Sequence, residues 1–156
     1  KRYDESELLH TKAFKIKVRV LGKEHPDTLA AMNNLAELYK DQGRYDEAET
    51  LHLETLEISR RVLGEEHTNT LSTMNKLAMV YMFQGEFQKA EKLHLRTLEL
   101  RERVLRQGHP YTMRSIRHLV ELYNAWSKPE EAQKWRIRLS TAVREPRTDT
   151  EPVTEQ

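Results

Sequence analysis

The chain has 156 residues, of which 26 are Lys or Arg and 25 are Asp or Glu, for a formal charge of +1. With 33% charged residues and a mean hydropathy of −0.83, it contains no apolar run near the roughly 18 residues that a membrane span requires, and the balanced charge argues against nucleic acid as its main partner, which would call for a basic excess. The lack of cysteine removes thiol nucleophiles and Cys-type zinc sites and, with the polar composition, points to a cytoplasmic setting.

In chain order, residues 2 to 20 form the first expected helix, with Leu8, Leu9, Phe14, Ile16, Val18 and Val20 as its apolar side chains. Its Tyr3-Asp4-Glu5 and Leu9-His10 return 42 residues later as Tyr45-Asp46-Glu47 and Leu51-His52. The chain therefore opens halfway through a repeat, as a piece cut from something longer would. Without the helix that should precede it, residues 1 to 20 leave an apolar edge available for self-association.

A helix over 26 to 42 follows, starting at Pro26, where a missing N–H costs nothing, and carrying the stripe Leu29, Met32, Leu35, Ala36 and Tyr39 up to the break at Gly43. The next helix, 44 to 63, has Asp46, Glu47 and Glu49 near its positive end and Arg60 and Arg61 at the other, and is expected to bury Ala48, Leu51, Leu53, Leu56 and Ile58. The pair then recurs: Leu21-Gly22, His25, Thr28-Leu29, Met32-Asn33 and Gln42-Gly43 have counterparts in Leu63-Gly64, His67, Thr70-Leu71, Met74-Asn75 and Gln84-Gly85. Such a period signals one supersecondary unit stacked on itself. Helices are expected at 68 to 84, 86 to 105, 110 to 125 and 128 to 143, giving units 21 to 62, 63 to 104 and 105 to 143. In the last unit Ser140, Ala142 and Pro146 replace apolar residues of the earlier ones, as a capping repeat should. The tail 144 to 156, with Pro146 and Pro152 and no apolar periodicity, is expected to be disordered.

Motifs that carry chemistry are absent from this pattern. All five glycines fall at helix junctions, none in a loop that could cradle a phosphate. His25, His67 and His109 form one period-locked set and His10, His52 and His94 another; equivalent residues in stacked helices lie on the order of 10 Å apart, whereas zinc needs its ligands within about 2.1 Å. The junction histidines are expected to order the turns through ring hydrogen bonds. Trp135, in place of Leu51 and Leu93, and Trp126 are expected to fill and cover the cap. The expectation is a non-catalytic chain with no metal and no cofactor.

The run from Met32 to Glu49, with Leu35, Ala36, Tyr39, Gly43, Tyr45, Ala48 and the small Thr55 in register, resembles the tetratricopeptide repeat signature. The usual repeat has 34 residues; the longer second helix and the Leu-Gly-x-Glu-His junction are similar to the 42-residue version of kinesin light chains. The resemblance implies an all-α, right-handed superhelical solenoid of antiparallel helix hairpins that interacts with proteins or peptide segments. It also implies a concave groove lined by a second stripe of the first helices. On that stripe the first repeat offers Asn33, Glu37 and Lys40, the second Ser72, Asn75, Met79 and Met82 with Phe83, and the third Arg114, Arg117, Glu121 and Asn124, with His118 beside them. The asparagine amides suit gripping of a peptide backbone, the methionines and Phe83 an apolar anchor, and the arginines an acidic flank. Glu37 and Met79 stand where a receptor for chaperone tails would want neutral or cationic donors. The other reading is an architectural, self-associating or regulatory array attached to an upstream signalling or enzyme domain.

Overall fold

The computed structural model describes residues 2–105 and 108–144, with side chains placed for 5–105 and 108–142. Seven helices occupy the described residues: α1 (Arg2–Leu21), α2 (Pro26–Asp41), α3 (Tyr45–Leu63), α4 (Thr68–Phe83), α5 (Phe87–Val104), α6 (Pro110–Ala125) and α7 (Pro129–Arg144). The bounds agree with the expected ones to within about two residues, the scatter usual at fraying helix ends. The expected disordered tail lies, apart from Arg144, outside the described residues.

Local chemistry sets the ends of the helices. His25, His67 and His109 are N-caps: each ring Nδ1 accepts from the backbone N–H two residues on, at 3.1 Å from Asp27, 3.1 Å from Asn69 and 3.2 Å from Tyr111. This satisfies one of the donors that every helix start leaves open. Just ahead, the Thr28 hydroxyl donates to the Gly22 carbonyl and Thr70 to that of Gly64, both at 2.8 Å, pinning the junction to the helix it precedes. Within each hairpin the turn needs a left-handed residue, which is Gly43 at φ +77° and Gly85 at φ +79°. In the third hairpin that place is taken by Ser127 at φ +57°.

α2 packs on α3, α4 on α5 and α6 on α7 as antiparallel hairpins, and each hairpin packs on the next to make the solenoid. The fully buried Ala36, Ala48, Ala78 and Ala90 let the hairpin helices approach closely. First helices adjoin one another, α2 with α4 and α4 with α6, whereas neighbouring second helices do not approach within 8 Å between Cα atoms. The first helices consequently form the inner, concave layer and the second helices the outer one. The main core runs from Leu56 through Met74, Leu77, Leu98, Ile116 and Leu119 to Ala132, with Trp126 and Trp135 packed against its far end as the sequence led one to expect. A smaller cluster joins Leu29, Met32 and Ile58 to Phe14.

Leu53 departs from its expected burial: it is 44% exposed, and its counterparts Leu95 and Ile137 are exposed too. These positions lie on the outer side of the second helices, which no neighbouring second helix covers. On α1, Leu9 and Val20 are each 66% exposed and Ile16 is 54% exposed, while Ile58, the counterpart of Ile16 one period on, is buried.

Candidate functional site

α2, α4 and α6 together wall an open hollow of about 290 Å³, lined by Glu37 and Lys40 from α2, Ser72, Asn75, Lys76 and Met79 from α4, and Arg114 and His118 from α6. These residues recur at three or four positions along each helix, so each first helix presents one stripe to the hollow.

At the α2 side, Lys40 Nζ pairs with Glu37 Oε2 at 2.9 Å and with Asp41 Oδ1 at 3.4 Å. Burial by itself would raise the Glu37 carboxyl, but the paired Lys40 ammonium and the nearby Lys76 prevail and hold it below the usual carboxylate range. Beneath the carboxylate, His52 Nε2 stands 3.5 Å from Glu37 Oε1. That separation is too long for a strong hydrogen bond, and neither atom has another partner among the described residues. The His52 ring is anchored on its other side, where Nδ1 lies 3.0 Å from Asn33 Oδ1; Asn33 Nδ2 in turn donates to Thr73 Oγ1 at 2.8 Å, and that hydroxyl to the Asn69 carbonyl at 3.0 Å. The hydroxyl is thus committed as a donor, which leaves Asn33 Oδ1 as an acceptor and places a proton on His52 Nδ1. Burial lowers the His52 pKa.

One repeat on, the same two positions are wired in the opposite sense. Asn75 is oriented as its neighbours require, with Oδ1 accepting from Arg101 Nη1 at 2.7 Å and Nη2 at 3.2 Å, and Nδ2 donating to His94 Nδ1 at 3.1 Å. The His94 proton then sits on Nε2, a buried atom with no hydrogen-bond partner among the described residues, and the His118 ring centroid is 5.4 Å from that of His94. Burial, reinforced by nearby positive groups, pushes His94 down to about 3 and His118 down to about 4, so both rings are neutral at physiological pH. Burial also lowers the Lys76 ammonium.

Of the residues expected on the groove, Glu37, Lys40, Ser72, Asn75, Met79 and Arg114 come together in the hollow, with His118 beside them. The remainder do not join them. Asn33 is 8% exposed and Asn75 is 4% exposed, and the amides of both are committed to internal partners, which corrects the expectation that they grip a ligand. Met82 packs against the main core. Phe83 is 49% exposed but stacks on Tyr45 with ring centroids 5.7 Å apart, so it covers the start of α3 and is not an anchor beside Met79. Asn124 Oδ1 accepts from Arg136 of α7 at 2.9 Å. Arg117 and Glu121 are exposed on α6 beyond the hollow.

Lys76 and Arg101 were not singled out from the sequence, although both left a trace there. Lys76 is an ammonium where the preceding repeat has Asn34, and Arg101 is a guanidinium where it has Ser59.

A model of the tetratricopeptide repeat matches residues 1–50, 30–91 and 70–135. The chain belongs to the tetratricopeptide repeat family. Among solved structures, two of a candidate kinesin light chain of Podosopora anserina, named for its nearly identical TPR-like repeats, are 28% identical, one of them a variant; each covers 90% of this chain, with TM-scores of 0.77 and 0.75. BtubC (BKLC) from P. vanneervenii, at 21% identity over 99% of this chain and a TM-score of 0.80, shares the fold. The chain spans 66% of the Podosopora anserina structures and 65% of BtubC. No curated protein matches it. Tetratricopeptide repeats generally mediate protein–protein interaction, and the helical solenoid seen here is a scaffold of that kind. No described helix is long and apolar enough to cross a membrane, and the described residues hold no group of three or more metal-ligating side chains.

Proposed function

We propose that this array, in units 21 to 62, 63 to 104 and 105 to 143, is a non-catalytic module that binds an extended segment of a partner protein in its concave groove. The observation that carries this reading is the hollow shared by α2, α4 and α6, where apolar Met79 lies among Lys40, Lys76 and Arg114. Side chains of all three first helices are within reach of one strand of about six to eight residues at roughly 3.3 Å each. The segment carries an apolar anchor over Met79 with acidic residues beside it, and Arg117 and Glu121 extend the contact along α6. Asn33, Asn75, Met82, Phe83 and Asn124 support the groove from behind or beside it. Selection from a random peptide library tests this. Retained peptides should pair an apolar residue with acids and lose binding to a Met79→Asp variant; retention of basic peptides, or binding unaffected by Met79→Asp, would overturn it.

A second reading has its own observation. Leu8, Leu9, Ile16 and Val20 of α1 are all more than half exposed, an apolar edge suited to self-association or to stacking of a further helix.

A further inference from the structure

α1 carries the same apolar face with which the later second helices pair inside their hairpins, and no described element covers it. Leu9, Ala13 and Ile16, spaced by four and then three residues along one side of the helix, stand where α3 has Leu51, Thr55 and Ile58 and α5 has Leu93, Thr97 and Leu100. On α3, Ile58 and Leu51 pack with Leu29 and Met32 of α2, and on α5, Leu100 shares the main core with Leu71 and Met74 of α4. Thr55, Ile58, Thr97 and Leu100 are buried in this way, whereas Leu9, Ala13 and Ile16 are exposed.

Two charged positions beside this face identify what would cover it. In each complete hairpin they are answered by the two residues that precede the N-cap histidine of the covering helix. On α3, Glu54 pairs with Lys23, and Arg61 with Glu24 at 2.6 Å. On α5, Arg96 pairs with Glu65 at 2.7 Å, and Arg103 with Glu66. The first position changes sign between the two hairpins, and the residue that answers it changes sign as well. On α1 the same two positions are Lys12 and Arg19, both exposed and neither with an ion-pair partner among the described residues. The charges on α1 are therefore those of α5, and the complement they call for is that of α4, a helix with two acids ahead of its start.

We infer that the outer face of α1 is a docking site for one helix of a partner protein, apolar on the side that meets Leu9, Ala13 and Ile16 and preceded by two adjacent acidic residues that pair with Lys12 and Arg19. This deepens the second reading above and does not depend on the groove. A second copy of the chain fits less well, because pairing α1 with α1 brings Lys12 and Arg19 to both sides of one interface. Association between copies stays weak and reversible on that account, and a helix with the acidic pair displaces it.

The probe is a labelled peptide of residues 65 to 83 of this chain, N-acetylated and C-amidated, which begins with Glu65-Glu66. One control peptide carries Glu65→Lys with Glu66→Lys, and another spans residues 23 to 41 and begins with Lys23-Glu24. By fluorescence anisotropy the whole chain should bind the probe about tenfold more tightly than the reversed control at low salt, with the difference shrinking as salt rises. Lys12→Glu gives α1 the charge pattern of α3, so it should turn the preference to the peptide of residues 23 to 41. Leu9→Glu with Ile16→Glu, both at exposed positions, should abolish binding with helical content unchanged. Binding that survives those two changes would place the probe elsewhere and overturn the site. Equal affinity for the probe and its reversed control, or no change of preference in Lys12→Glu, would overturn the charge rule and the inference with it. A chain that dimerises through α1 and excludes the probe has a second copy as its occupant, and the inference fails. Binding of none of the peptides would overturn it too, leaving the groove reading and the association of copies as they stand.

Discussion

Asn33 shows how one residue passes from candidate ligand to structural part. It stands on the groove stripe of α2, but its amide joins His52 to Thr73 across two helices, with 8% exposure. Asn33→Ala would strand a buried ring nitrogen, and it is expected to cost about 1 to 3 kcal/mol in urea denaturation. An unchanged midpoint would return Asn33 to the groove. The histidines add a dependence on pH. His94 is near 6.5 when unfolded and about 3 in the fold, so the unfolded chain binds the extra proton first as the pH drops. The contribution of the neutral ring is complete above about pH 6.5 and is lost progressively down to about pH 3, with a slope approaching 1.4 kcal/mol per pH unit for one such group. His118 and His52 act in the same direction. Glu37, ordinarily near 4.5 and held lower by Lys40, adds its own loss only below about pH 4.5. Between pH 6.5 and 5 the fall in stability should therefore belong to the histidines, and His94→Gln should make it shallower. If chemical denaturation gave the same slope for both proteins, His94 would not be the neutral buried ring described above.

Among the elements, the hairpin turns offer the sharpest comparison, because three copies of one device differ at one residue. Gly43 and Gly85 occupy the left-handed position without steric penalty, and Ser127 occupies it at φ +57° with a side chain. Ser127→Gly is expected to raise stability by roughly 0.5 to 1 kcal/mol, which thermal unfolding would register as a higher Tm. A lower Tm would mean that the Ser127 side chain contributes more than its backbone conformation costs. The helix starts follow the same logic of repeated parts, each first helix being capped by a histidine ring. These caps involve residues two apart in the chain, and for that reason the junction histidines were legible in advance.

For the whole molecule, the concave face and the α1 end of the solenoid present different surfaces. The concave layer gathers charge around Met79, and the α1 end presents apolar side chains that no described element covers. Burial of such an edge is favourable by about 25 cal/mol per Å² of apolar area. The purified chain is expected to associate reversibly through α1, and Leu9→Glu with Val20→Glu should shift it towards monomer in light scattering at rising concentration. A native chain that stays monomeric over that range would show that the edge alone is too small to hold a dimer.

Helix positions, hairpin pairing and family could all be read from the chain because they rest on local or periodic signals: apolar spacing, Gly and Pro punctuation, caps within two residues, and a 42-residue register that repeats them. What the register could not resolve was which side of each first helix is open. That depends on how far successive hairpins rotate, and a rotation of one residue's worth on a helix turns a side chain by about 100°. It put Lys76 into the hollow, took Asn33 beneath it, turned Met82 onto the core and carried Phe83 round to Tyr45. Arg101 is the extreme case: its position reads as a small buried site, its side chain as a surface charge, and only packing against Asn75, Tyr111 and Ser115 decided that the charge lies inside.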